Sequence, residues 1–186
     1  HGWYDKRFMY EESLRMPFLA RLPGEIPAGI RSDAVVSNVD FAQTLMDYAL
    51  VPDPGGMQGR SLRGILRGAT PADWRHEAYN RYWMHMAHHD NPAHYGLRTK
   101  EHKLIFFYGL PLDASGAVDF PTPIGWELYD LAHDPFELHN VYDDPDYAHV
   151  RRELKEKLKT IKSDIGDTDE KYPDLQALVA RFWDEG

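Results

Sequence analysis

At 186 residues, 42% hydrophobic and 13% aromatic, the chain carries enough apolar material for a true core and is not a disordered tail. Its 30 acidic against 21 basic residues give a net charge of -9, which opposes a nucleic-acid backbone, and no Lys/Arg-rich run reverses that balance locally. The best apolar stretch, KLIFFYGLPL, is broken by Gly and Pro and far shorter than the roughly 20 residues of a bilayer span, and the absence of Cys excludes a thiol nucleophile or thiolate metal site.

The chain opens HGWYDKRFMYEESLRMPF, without an initiator Met. From Asp5 to about Arg15 the segment is too polar for a core strand and reads as a loop with a helical turn at YEESL, ended by Pro17. PFLARLPG then suits a short strand covered on both faces. In SNVDFAQTLMDYAL, Val39, Phe41, Leu45, Met46 and Ala49 recur at helical spacing, and Ser37 or Asn38 is placed to cap the first amides. VPDPGGMQG is a loop, and RSLRGILRG a short helix closed by Gly68.

From Glu77 the period changes. EAYNRYWMHM, HYGLRTKEHKLIFFY and WELYDL are rich in aromatic and β-branched residues, and TKEH has the length of a hairpin connection, so a small antiparallel sheet is predicted. In DYAHVRRELKEKLKTIKSDI, Val150, Leu154, Leu158, Ile161 and Ile165 form one stripe of an amphipathic helix suited to cover that sheet. A last helix is predicted in YPDLQALVARFWDEG, with Leu175, Leu178, Val179 and Phe182 on one face.

Three of these stretches taken together resemble the sulfatase family of the alkaline-phosphatase-like superfamily. They are HGWYDKRFMYEESLRMPFLARLPG, VSNVDFAQTLMDYAL with GMQGRSLRGILRG, and HYGLRTKEHKLIFFY with WELYDLAHDPFELHNV. The resemblance implies an α/β fold of which this chain is the carboxy-terminal part: residues 1–75 the end of the large sheet domain, 76–186 a small antiparallel sheet packed by a helix. It implies a sulfuric ester hydrolase acting on a sulfated carbohydrate or glycosaminoglycan, while the charge balance and the lack of a long apolar window argue against nucleic acid and membrane as partners. The formylglycine nucleophile made from Cys/Ser-x-Pro-x-Arg, and the calcium ligands, are then expected upstream of His1, with no metal ligand within the chain. An isolated fragment of this kind is expected to be inactive and to associate through PFLARL. A periplasmic or secreted location is suggested by the family alone. Phosphoryl or phosphonate ester hydrolysis on the same fold, or a non-catalytic carbohydrate-binding module, are the competing readings.

The resemblance also assigns residues. Lys6 is the expected catalytic group, a fixed ammonium facing the charge that builds on a sulfuryl group, whereas DKR by itself reads as a solvated charge cluster. His1 matches the His of a Glu-His-Gly pattern and is expected near substrate. His85, His88, His89 and His94 crowd one loop, where their spacing fits sugar recognition better than a transition-metal site. His94 is the expected substrate contact at the cleft rim, and Arg98 either a further contact or a structural pair across the sheet. Asp130, Asp134, Glu137 and Asn140 lack an EF-hand pattern and read as turn caps.

Overall fold

The computed structural model describes residues 6–183, which fall into two compact units. One comprises the described residues up to Met16 together with Tyr79 onward; the other is Pro17–Ala78.

The first unit is built on a four-stranded sheet in the order β1 (Glu77–Tyr82), β2 (His94–Thr99), β3 (His102–Phe107), β4 (Gly125–Asp130). The β2–β3 and β3–β4 pairs are antiparallel, with Leu97 opposite Leu104 and Leu104 opposite Leu128. The hairpin predicted at TKEH is present: Thr99 Oγ1 accepts the amides of Glu101 (3.3 Å) and His102 (2.9 Å) and so closes the turn.

Alternation along the strands gives the sheet two chemically different faces. Tyr95, Leu97, Leu104, Phe106, Trp126 and Leu128 form the apolar one, sealed by Leu154 and Leu158 of α4 (Ala148–Asp164) and by Leu175 and Trp183 of and after α5 (Pro173–Phe182). The predicted covering helix is therefore present, and its stripe also carries Lys155 and Lys162. Lys155 lies 4.6 Å from the Trp126 ring and Lys162 3.6 Å from that of Tyr95, their stems filling the core while their ammonium groups use the ring faces. The opposite face bears Ile105, Phe107 and Tyr129 but also His94, Arg98, Lys103 and Glu127, and it is covered by Phe8, Met9 and Tyr10, which lead into α1 (Glu11–Leu14).

The second unit holds α2 (Asp40–Tyr48) and α3 (Arg63–Leu66), with a core of Leu62, Ile65 and Trp74. Two expectations are corrected here. PFLARLPG is not a strand: no described residue offers it a ladder, and Leu19 stays 91% exposed. The start of α2 is fixed by Asp40 and not by Ser37 or Asn38. Its carboxylate accepts the Ser37 amide (2.8 Å) and the Arg60 amide (2.9 Å) and pairs with Arg75, so the polar side of the helix is buried while Val39, Phe41 and Leu45 are exposed. The predicted end of α3 at Gly68 holds, with φ at +86°. Among the described residues no helix is long and apolar enough to cross a membrane.

Gly96 lies at the centre of the polar face, where a Cβ would come within 2.1 Å of the Leu104 carbonyl oxygen and 3.0 Å of the Ile105 Cα, both main-chain atoms. Gly96→Ala should therefore cost about 3 kcal/mol or more through strain in the β2–β3 pair. Gly125→Ala, where nothing lies within 4 Å, should cost under about 1 kcal/mol. Thermal unfolding of the two variants beside the parent checks the contrast.

Candidate functional site

A segment with little regular structure lies over the polar face of the sheet, and its placement is determined by charge. The Lys103 ammonium has no exposed surface and sits 3.0 Å from Glu11 Oε1 and 2.5 Å from Glu137 Oε1. Arg98 grips the same Glu11 carboxylate through Nε (3.1 Å) and Nη2 (2.9 Å), while the Glu11 amide donates to Glu137 Oε2 at 2.6 Å. Burial pulls the Glu11 carboxyl upward, but Arg98 and Lys103 outweigh it and hold the group below the usual carboxylate range. Burial wins at Glu127, whose pKa is raised despite hydrogen bonds from Tyr129 and Tyr10.

Upstream of this anchor, Phe8 stacks on His94 with ring centroids 5.8 Å apart and planes 9° from parallel. Tyr82 stacks on His94 as well, at 5.6 Å and 26°, and Phe107 is tilted against it at 5.1 Å. Nδ1 of His94 lies 2.8 Å from the Pro92 carbonyl oxygen, which can only accept, so Nδ1 carries the proton. Among the described residues Nε2 has no hydrogen-bond partner of good geometry, although the Arg7 main chain lies near enough to favour protonation. Burial prevails over both carbonyl contacts and lowers the imidazole from 6.5 to about 4.

Next to this stack is a pocket of about 300 Å³ lined by Lys6, Arg7, Asn80, Arg81 and Tyr82. Lys6 and Arg7 bring positive charge to it, and Asn80 and Tyr82 add neutral hydrogen-bonding groups, a combination suited to an anionic ester carrying hydroxyl groups. Arg81 is itself fixed from the apolar side, its guanidinium 3.5 Å from the Trp83 ring and paired with Asp167.

Of the residues singled out from sequence, Lys6 lines this pocket. His1 lies outside the described residues. The exposed rim position expected of His94 is corrected: the side chain is completely buried behind Tyr82, because three aromatic rings surround it. Arg98 takes the structural alternative in being bound bidentately by Glu11, although its partner comes from α1 and not from a neighbouring strand. His85 is likewise internal, accepting the Ala93 amide at Nδ1 (2.9 Å) and donating from Nε2 to the Phe120 carbonyl (2.8 Å). Asp130, Asp134 and Asn140 act as turn caps, Asn140 Oδ1 accepting the amides of Leu128 and Tyr142. Glu137 instead joins the Lys103 pair. Asn80, Tyr82, Phe8 and Lys103 escaped the sequence argument. Only the period-two alternation of β1, which puts Asn80 and Tyr82 on one face, could have pointed to the first two.

A family model described as N-sulphoglucosamine sulphohydrolase, C-terminal, matches residues 1–164. The chain belongs to this family of sulfatases. It is 43% identical to an N-acetylglucosamine-6-O-sulfatase of Bacteroides thetaiotaomicron over 181 residues, which cover 96% of the chain and 30% of that protein. It is 30% identical to arylsulfatase K of Mus musculus, over 98% of the chain and 30% of that protein. A solved protein in complex with its substrate D-glucosamine-2-N,6-O-disulfate superposes with a TM-score of 0.81 at 43% identity, covering 94% of the chain and 33% of that structure. The chain thus spans about a third of the length of these relatives, and its fold is the carboxy-terminal part of the alkaline-phosphatase-like fold. Membership of the sulfatase family implies calcium and formylglycine in general. Among the described residues no three His, Asp or Glu side chains are grouped to hold a metal ion, and the sequence contains no Cys-x-Pro-x-Arg or Ser-x-Pro-x-Arg.

The His94 imidazole makes stability pH-dependent with a definite sign. Its folded pKa is depressed, so between about 4 and 6.5 the unfolded chain binds more protons than the folded one. The contribution is complete above 6.5 and is lost as the pH falls through that window, by up to about 3 kcal/mol. Urea midpoints of the parent should fall more between pH 7 and pH 4.5 than those of His94→Phe; equal slopes would contradict a buried neutral imidazole.

Proposed function

We propose that the chain is the carboxy-terminal portion of a sulfatase that hydrolyses a sulfate ester on a carbohydrate. The observation carrying this reading is the pocket that groups Lys6 and Arg7 with Asn80 and Tyr82. Cleaving a sulfate ester accumulates negative charge on the sulfuryl and leaving oxygens, and an ammonium held beside them stabilises that charge. Lys6 fills this role. Asn80 and Tyr82 offer donors, acceptors and a ring face to the sugar. The carbohydrate assignment is supported by the relative named N-acetylglucosamine-6-O-sulfatase and by the solved relative bound to a sulfated glucosamine.

In this reading His1 lies near the substrate. His94 contributes from behind the pocket wall, and Arg98 acts through the Glu11 anchor. Residues 1–75 belong with the large α/β domain in sequence, and the exposed Phe18, Phe41 and Leu45 suit burial against the remainder of such a domain. Nucleophile and calcium are supplied from outside the described residues, and no step ascribed to this chain runs through either. Family membership favours a periplasmic or secreted protein.

In the full-length protein, Lys6→Ala should lower kcat/KM for a 6-O-sulfated glucosamine about 100-fold or more, with the loss carried by kcat. Release of sulfate measured by ion chromatography tests this. A Lys6→Ala enzyme within a few-fold of the parent, or a parent that cleaves phosphonate but not sulfate esters, would overturn the assignment.

A further inference from the structure

The two walls of the pocket belong to different parts of the chain. Lys6 and Arg7 come from the amino-terminal segment, whereas Asn80 and Tyr82 come from β1. Phe8 belongs to the first wall and is two residues from Lys6; Tyr82 belongs to the second. The His94 ring stands between them, stacked on Phe8 at 5.8 Å and on Tyr82 at 5.6 Å, so three flat side chains form one continuous pile. Phe107 closes the edge of the pile, and the bond from Nδ1 to the Pro92 carbonyl fixes the rotation of the middle ring. That ring has no exposed surface, which leaves it no direct route to a ligand in the pocket.

We propose that His94 is a positioning residue: a wedge whose thickness sets the separation of the Lys6 and Tyr82 walls and thereby the distance from the Lys6 ammonium to the substrate. The proposal rests on the sulfatase reading for its catalytic consequence, and on the stack alone for its geometric one. A ring of similar thickness should satisfy it, and the removal of the ring should let the walls close together. The effect on turnover should then pass through Lys6, the pocket residue assigned to the developing charge, whose wall the stack positions through Phe8.

The test is a double-mutant cycle in the full-length protein, with unfolding temperatures recorded for each variant. His94→Ala should lower kcat about tenfold or more while KM for the sulfated sugar changes only about threefold or less. His94→Phe, which keeps the stack and loses the ring-nitrogen contacts to the Pro92 and Arg7 main chain, should recover most of the lost kcat. The decisive result is the pair: Lys6→Ala with His94→Ala should be no slower than Lys6→Ala alone, since the wedge then has nothing to position. Effects that multiply would overturn the proposal and make His94 a direct substrate contact. Should His94→Ala fail to fold, Phe8→Leu removes the same stack from the other side and carries the same expectation. A crystal structure of either variant reads the geometry without reference to turnover, and unmoved Lys6 and Tyr82 walls would overturn the wedge. A parent protein that cleaves no sulfate ester would instead overturn the functional reading and leave this structural comparison to decide the wedge.

Discussion

The buried ammonium of Lys103 is the constraint from which the site follows. An isolated charge with no exposed surface is untenable, so Lys103 requires carboxylates, and it takes one from each of two distant segments, Glu11 and Glu137. Removing the ammonium would leave Glu137, itself almost wholly buried, without its counter-charge, a situation that typically costs about 3–5 kcal/mol. Because Glu11 also receives Arg98 and gives its own amide to Glu137, the turn at α1 is held at three points to a rigid sheet. A stretch of chain with almost no secondary structure thereby acquires a defined position, and Lys6 lies five residues upstream of that anchor.

The two faces of the sheet divide stability from function. The face toward α4 and α5 is an ordinary aromatic and aliphatic core, in which Phe106, Trp126 and Trp183 pack at centroid distances of 4.3 and 5.1 Å. Its charged members are paired or set against ring faces: Lys155 lies over Trp126, Lys162 over Tyr95 and against Asp169, and Arg81 over Trp83 and against Asp167. The other face uses charge pairs and a buried neutral imidazole, which contribute less net free energy per group than apolar packing does. What such groups supply is direction: hydrogen bonds and ion pairs fix orientation where non-directional burial does not. The pocket lined by Lys6, Arg7, Asn80 and Tyr82 lies beside this directed face, and the apolar face supports it from beneath.

The sheet, the long helix and the last helix were legible in the sequence because period-two and period-3.6 patterns survive in any environment that buries one face. The resemblance carried by the opening, middle and WELYDL stretches gave the family. What stayed hidden depended on partners far away in sequence. PFLARLPG has the composition of a buried strand, but strand formation needs a ladder that no described residue provides. Ser37 and Asn38 look like caps, yet Asp40 reaches two main-chain amides and an arginine at once and prevails. His94 looked like a rim residue because a His before YGLRT in a polar loop is ambiguous by composition. Only the pairing of His94 with Phe107 across β2 and β3, and the return of Phe8 over both, makes it an interior ring.

The same long-range logic explains why the pocket wall on β1 can be trusted to stay in place. Residues alternate across that strand, so Asn80 and Tyr82 face the pocket side while Tyr79 and Arg81 point to the apolar side. There both Tyr79 and Arg81 bind the Asp167 carboxylate, in the loop that follows α4, and the Arg81 guanidinium rests on Trp83. Each residue that faces the pocket is therefore flanked by one that is locked into the body of the unit, and a lateral shift of β1 would have to break an ion pair and a cation-π contact together. On the opposite wall, the segment that follows Lys6 is tied down by the Phe8 stack and by the Glu11 anchor. The pocket is thus bounded by two segments, each fixed to the sheet, with the His94 ring stacked on both.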